Sequence, residues 1–279
     1  GKTTKYIIPN VLHLAQKNAS MAIHDPKGEV HQLTSGYLKS KGFNVILFDV
    51  ENVQGSRFFN PCQEAKTEVE LEQVAETIIW CANPGEKDSY WNNGATRILS
   101  VLLKCLSFGD PKHFNLINLQ HLLNNFGVMG EGLDEWISKN GDNPKYPGDN
   151  YIHEEWKGAL TGNKEAIQSF VGICLTSLKS LTNRDLRQFF SRSDYDLKAF
   201  RREKTAIFFV TPPDQQKYYS FVTSLFFKAL FSECMRREYL TGKFLPVYIL
   251  YDEFGNSYIP DFVSIANTIR GYKVSLSLI

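Results

Sequence analysis

Apolar positions are spaced in two different ways along this chain, and the spacing changes twice. Over the first 60 residues, short apolar runs alternate with amphipathic stretches: helical periodicity over Tyr6–Gln16, a strand Met21–His24, helical spacing over Glu29–Ser40, then a strand Val45–Phe48. Apolar strands separated by helices predict a parallel sheet. Both strands stop at an acidic residue, Asp25 and Asp49, which places polar side chains at the carboxyl edge, where open α/β sheets bind ligands. From about Cys62 to Leu181 the β-branched runs give way to helical periodicity in Val69–Ala82, Tyr90–Phe108, Leu116–Phe126 and Ile167–Leu181. After Lys204 the first rhythm returns: strand Ala206–Val210, the breaker Pro212-Pro213, a long helix Gln215–Tyr239, strand Val247–Tyr251, helix Ile259–Ile269 and strand Val274–Ile279. One parallel-sheet domain, made of residues 1–61 and 182–279 and interrupted by an all-α domain over 62–181, accounts for the pattern.

Composition narrows this picture without redirecting it. Of 279 residues, 43% are hydrophobic and 22% charged, the proportions of a globular chain with a core. The 31 basic and 30 acidic residues leave a formal charge of +1, so any contact with nucleic acid has to be local. Cys62, Cys81, Cys105, Cys174 and Cys234 are scattered, with no C-x-x-C pair and no histidine at zinc spacing, and read as buried thiols of a reducing cytoplasm. The most apolar stretch, Phe221–Phe231, is too short to span a bilayer and contains Lys228, which makes it a core helix. The segment Gly141–Asn150, rich in Gly, Asn, Asp and Pro, is expected to be the longest loop, exposed or disordered.

Chemistry concentrates near the two ends. Gly1-Lys2-Thr3-Thr4 matches the last residues of the phosphate-binding pattern G-x-x-x-x-G-K-[ST], in which backbone N–H groups wrap the phosphates, the lysine meets their oxygens and the hydroxyl reaches a magnesium ion. A plain surface turn is the alternative; the helical stretch that follows at once favours anion binding, although Pro9 interrupts that helix and should kink it. The strand Val247–Tyr251 delivers adjacent carboxylates, Asp252 and Glu253, in the manner of a Walker B motif: the first to hold the metal, the second to orient or deprotonate a water. Asp25-Pro26-Lys27-Gly28-Glu29 is a turn on the same edge, where Asp25 and Lys27 serve the nucleotide site or a subunit interface, or simply make the turn. Arg270 closes the helix after the acidic pair and suits either an arginine finger reaching across a subunit boundary or a cation at a helix end. The basic residues Lys198, Arg201, Arg202, Lys204, Arg184, Arg187 and Arg192 read as solvated faces or phosphate contacts, and Trp80, Trp91, Trp136 and Trp156 as core of the helical block.

Taken together, GKTT followed by Ile7–Asn10 (IIPN), the DPKGE turn Asp25–Glu29, Phe58–Pro61 (FFNP), the spacing Trp91, Ala95, Leu99, and Tyr251–Gly255 (YDEFG) resemble the TraG/TraD-type coupling ATPases of conjugation and type IV secretion, over nearly the whole chain. The resemblance implies a RecA-like P-loop NTPase with an inserted all-α domain, using ATP and Mg²⁺. It implies phosphate or nucleotide contacts for Gly1, Lys2, Thr3, Thr4 and Asp25, metal contacts for Thr3 and Asp252, and catalytic roles for Glu253, Lys2 and Arg270. It also implies a homo-hexamer on the cytoplasmic face of the bacterial inner membrane, held by an anchor ahead of the P-loop. Such a ring would recruit DNA, expected to be single-stranded, with relaxase or effector proteins, and pass them to the secretion channel. The family's P-loop glycines, the strand before them and the elements after the last strand have no counterpart in this sequence, so the polypeptide alone is expected to hydrolyse ATP weakly or not at all. A nucleotide-switched substrate adaptor, a related DNA translocase and a secretion-channel ATPase are the competing readings.

Overall fold

A computed structural model describes residues 1–84 and 89–279, with the backbone alone at 213 and 216. Two compact units are present: Gly1–Phe59 together with Asp194–Ile279, and Asn60–Ser193.

The first unit is built on a five-stranded, wholly parallel sheet of β1 (Ser20–His24), β2 (Asn44–Asp49), β3 (Thr205–Val210), β4 (Val247–Tyr251) and β5 (Val274–Leu278), in the order β2-β3-β1-β4-β5. Every residue of β1 is buried, as expected of the central strand of a sheet covered on both faces. Register decides what happens at the carboxyl edge. His24 lies opposite Phe209 of β3 and Tyr251 of β4, so the residues that leave these strands, Asp25, Thr211 and Asp252, emerge near one another.

On one face pack the first helices. Thr3–Ile7 forms a π-helical turn that runs into the α-helix Ile8–Leu14, with the N–H of Ile8 bonded to the carbonyl of Thr3. Pro9 sits in the first turn of that α-helix. Proline has no N–H and its ring crowds the carbonyl four residues back, and the widened turn is a recognised way of relieving this within a continuous helix. Ile7, Val11 and Leu14 join Met21, Ile23, Val30, Leu38 and Phe208 in one core cluster. The helix Glu29–Ser40 has the bounds expected from its periodicity and starts from Gly28, whose φ of 69° is the left-handed conformation that glycine adopts without penalty. Across the sheet lies Gln216–Cys234, which places Phe226 against Phe209 and Phe48, and Phe227 against Tyr251, at centroid distances of 4.5, 4.9 and 4.0 Å. This helix is shorter than expected: it stops at Cys234, and the chain turns again only over Arg237–Leu240.

The described residues of the second unit form helices and no strand: Pro61–Glu64, Glu68–Ala82, Ser89–Phe108, Leu116–Asn124, Glu131–Asn140, Tyr151–Ala159, Lys164–Ser177 and Arg184–Phe189, with short 3₁₀ turns. Asn60, Thr67, Asn115, Asn163 and Asn183 each accept a backbone N–H at a helix start, as such side chains do. The unit runs further than the expected 62–181, because the Ser193 N–H donates to Gln63 and the Ser193 hydroxyl accepts from the Asn60 N–H. Gly141–Asn150 is an irregular loop and mostly exposed, as expected, and it is tied down at Asn143, 4% exposed, which donates to Glu68 and to the Tyr151 hydroxyl and whose oxygen receives the Lys145 N–H. Lys104 is buried among carboxylates, its ammonium 2.7 Å from Glu72, 2.8 Å from Glu155 and 3.8 Å from Glu68. Trp156 is core, with its indole N–H on Asp134, while Trp80, Trp91 and Trp136 are half-buried.

One glycine of this unit is held by contact. A Cβ on Gly132 would lie 2.0 Å from the carbonyl oxygen of Asn125, whereas one on Gly36 would meet nothing within 4 Å. Gly132→Ala is expected to cost about 1–3 kcal/mol by overpacking, and Gly36→Ala to leave stability unchanged or raise it by about 0.5–1 kcal/mol. Denaturant unfolding of the two variants, compared with the parent, checks both.

Candidate functional site

The carboxyl edge of the sheet gathers the charged residues that the sequence singled out. Lys2, at the entry to the first helical turn, places its ammonium 3.5 Å from the Asp252 carboxylate at the end of β4. Two hundred and fifty positions of sequence separate them, and only the folded sheet brings them together. As an ion pair the contact is worth little, since the Lys2 side chain is 61% exposed; its weight lies in the placement. Thr3 is half-buried beside it, and Gly1 and Thr4 are exposed, bonded to each other through the Thr4 hydroxyl.

Asp252 is 7% exposed, and Glu253 follows it in the left-handed region at φ 57°, an unusual conformation for a side chain of that size. The Glu253 N–H donates to the Asp252 carboxylate and to the carbonyl of Ile279, each at 3.0 Å. Its Oε2 is buried without a hydrogen-bond partner. Burial, and then the charge of Asp252, push the Glu253 carboxyl above its ordinary range against the pull of Lys2 and Lys27. A lysine, a hydroxyl, a buried carboxylate and a second carboxylate with an unpaired oxygen fit a phosphate-bound Mg²⁺, which usually takes one or two protein carboxylates together with waters and phosphate oxygens. Among the described residues there is no group of three His, Cys, Asp or Glu that would instead form an all-protein metal cage.

Asp25 lies on the same edge, 2% exposed, but its carboxylate turns to the helix Glu29–Ser40 and accepts the His31 N–H at 2.8 Å. Burial raises its pKa, against the N–H bonds from His31 and Val30. Arg270 is not brought to the site. It is exposed at the amino end of β5, the length of a five-residue strand away, about 17 Å. The basic residues divide between the two units. Arg201, read from sequence as part of a solvated or phosphate-facing cluster, is wholly buried, with its guanidinium on the carbonyl of Tyr272 and over the ring of Tyr239. Arg202 pairs with Glu238, and Lys204 lies over Phe43.

His24 and Thr211 were not anticipated as site residues. His24 is 4% exposed; its Nδ1 donates to the Asp252 carbonyl at 2.5 Å, and its Nε2 accepts from the Thr211 hydroxyl at 3.2 Å. Burial pushes its pKa down to about 4, against that hydrogen bond and the Asp252 charge, so the ring is neutral near pH 7. The signal available in the sequence was a polar residue closing the otherwise apolar, fully buried strand SMAIH.

A parallel sheet that carries a lysine from the first helical turn and an acidic pair from a buried strand to one edge is the RecA-like P-loop NTPase fold. The chain belongs to the type IV secretory system conjugative DNA transfer family, whose model matches residues 1–279. It is 25% identical over 297 residues to protein VirD4 of Rhizobium radiobacter, a match covering 98% of this chain and 39% of that protein. Structures of the plasmid coupling protein TrwB share the fold: the complex with the GTP analogue GDPNP at TM-score 0.68 and 12% identity, covering 100% of this chain and 60% of that one. The complex with ADP and Mg²⁺ gives 0.65 and 13%, covering 98% and 59%. The chain thus spans 39% of the length of VirD4 and about 60% of the TrwB chains. No helix among the described residues is long and apolar enough to cross a membrane.

Proposed function

We propose that this chain carries the nucleotide site of an ATP-hydrolysing coupling protein that recruits relaxase–DNA or effector proteins and drives them into a type IV secretion channel. The observation that carries the reading is the 3.5 Å meeting of Lys2 and Asp252 beside the unpaired Glu253 oxygen. Lys2 holds the β/γ-phosphate oxygens, with Gly1 and Thr4 on the same turn, and Thr3 and Asp252 hold Mg²⁺. Bound there, the metal ion supplies neutralisation of charge on the phosphates. Glu253 orients and deprotonates the attacking water; its raised affinity for a proton suits a general base. Asp25 fixes the turn that borders the nucleotide. Arg270, exposed on the opposite edge, serves the nucleotide of a neighbouring subunit in a ring, the head-to-tail arrangement of a closed homo-oligomer, which we take to be a hexamer. The TrwB complexes with ADP and Mg²⁺ and with the ATP analogue ADPNP support ATP and Mg²⁺ as the ligands, and the family supports DNA, single-stranded in our reading, as cargo with relaxase or effectors. Placement at the cytoplasmic face of the inner membrane, through an anchor outside this chain, completes the proposal.

Equilibrium binding of a fluorescent ATP analogue with Mg²⁺ tests the site. Lys2→Ala is expected to weaken binding by about 10-fold or more, the loss of one charge-assisted contact, and equal binding by parent and variant sinks the assignment.

A further inference from the structure

The Asp252–Glu253 peptide is fastened at both ends. Its N–H is bonded to the Asp252 carboxylate and to the Ile279 carbonyl, and its C=O receives the Nδ1–H of His24. The direction in which the Glu253 carboxylate leaves the backbone depends on this one peptide plane, which is held in a conformation that a glutamate does not adopt by preference, φ 57° and ψ 35°. His24 is the only group from β1 in that arrangement, and it is itself held by Thr211 at the end of β3. A carbonyl can only accept, so Nδ1 carries the proton, and the neutral ring then presents Nε2 as the acceptor for the Thr211 hydroxyl. Edge contacts to Tyr251 and Phe227, at 5.3 and 6.0 Å, pin the ring plane. Thr211, His24 and the Asp252 carbonyl therefore tie three neighbouring strands, β3, β1 and β4, together directly beneath the acidic pair.

We propose that His24 is a positioning residue for hydrolysis: as the Nδ1–H tautomer, oriented by Thr211, it fixes the Asp252–Glu253 peptide and so aims Glu253 at the attacking water. This rests on the ATPase reading given above. A core histidine that only fills space would be replaced by phenylalanine with little functional loss. A positioning one would not, because small misplacements of a catalytic group cost turnover while binding survives.

The test compares, in the full-length protein, His24→Phe, His24→Gln, Thr211→Val and the Phe/Val double variant, with Glu253→Gln as the control. Measurements are ATP turnover, affinity for a fluorescent ATP analogue, unfolding, and ¹⁵N NMR of selectively labelled histidine. His24→Phe is expected to lower kcat about 10-fold or more with affinity within about twofold, as lost aim rather than lost binding. His24→Gln keeps a donor for the carbonyl and should stay within about threefold of the parent. Thr211→Val should cost about threefold alone and nothing further beside His24→Phe, since the two act as a unit. The NMR spectrum should show a ring protonated at Nδ1 in the parent. Parent-like kcat in His24→Phe while Glu253→Gln is inactive overturns the proposal, and so does a ring protonated at Nε2. Should Glu253→Gln also turn over normally, the hydrolysis reading falls, and the tautomer still decides the arrangement of His24. If His24→Phe fails to fold, the Gln and Val variants and the tautomer carry the decision.

Discussion

In the full-length protein, Glu253→Gln is expected to lower ATP turnover by about 10²–10⁴-fold, the usual contribution of a positioned general base, while leaving nucleotide affinity within a few-fold of the parent. Three features of the site lead to this expectation. The carboxylate has an oxygen that is buried and unpaired, whereas structural carboxylates elsewhere in the chain are bonded, as Asp25 is to the His31 N–H. It sits next to Asp252, whose charge, with burial, raises its hunger for a proton. Its backbone is held in the left-handed region by neighbours on other elements, and strain of this kind gathers at working sites. Glutamine matches the shape and keeps an acceptor but cannot take the proton. Single-turnover hydrolysis beside equilibrium binding makes the measurement, and a variant within threefold of the parent removes Glu253 from the chemistry.

Lys104→Met is expected to produce the largest loss of stability. Lys104 has a side chain 3% exposed and lies within 3 Å of both Glu72 and Glu155, with Glu68 at 3.8 Å. Burial alone would depress its pKa; the hydrogen bonds it donates to Glu155 and Glu72, with their charges, outweigh this and hold it above the ordinary value. Methionine preserves the packing of the stem and leaves carboxylates facing one another. Removing one partner of a fully buried pair costs about 3–5 kcal/mol, and because these glutamates are 35–51% exposed solvent screening reduces the expected loss to about 2–3 kcal/mol at pH 7. The pH dependence has a definite sign. A lysine whose folded pKa is raised contributes fully below its unfolded value of about 10.4, so the parent keeps this contribution at neutral pH and loses it as pH rises through the folded pKa. Denaturant unfolding of parent and variant at pH 7 and in alkaline buffer checks both statements: the gap between them is expected to narrow as Lys104 loses its proton, and a loss below about 0.5 kcal/mol at pH 7 contradicts them.

Hydrophobic spacing made the sheet legible: all five strands lie within about one residue of where their apolar runs begin and end, and for the three inner strands burial on both faces admits almost nothing else. The helix Glu29–Ser40 was equally plain, set by a left-handed glycine before it. Glu131–Asn140 and Tyr151–Ala159 escaped notice because they are short, 10 and 9 residues, and helices of that length depend on tertiary packing rather than on local signal. Lys2 and Asp252 could be named from motif chemistry, but their meeting is a tertiary fact. Arg201 misled for a related reason: a basic residue in a basic run reads as surface, and only the fold supplies the carbonyl of Tyr272 and the ring of Tyr239 that cover it. Pattern likewise could not show that His24 faces the Asp252 carbonyl, since side-chain hydrogen bonds across a parallel sheet depend on register.

The central place of β1 has a consequence for the birth of the molecule. Its two hydrogen-bonded neighbours are β3 and β4, and Ser20 meets Thr205 across a separation of 185 residues. At ribosomal speeds of about 5–20 residues per second, this apolar strand waits on the order of 10–40 s before its first partner is made. Helices formed from contacts near in sequence can assemble during that interval, while the strand destined for the middle of the sheet stays unpaired. Nascent chains of this protein should therefore depend on chaperones most heavily between the emergence of Ser20 and that of Val210.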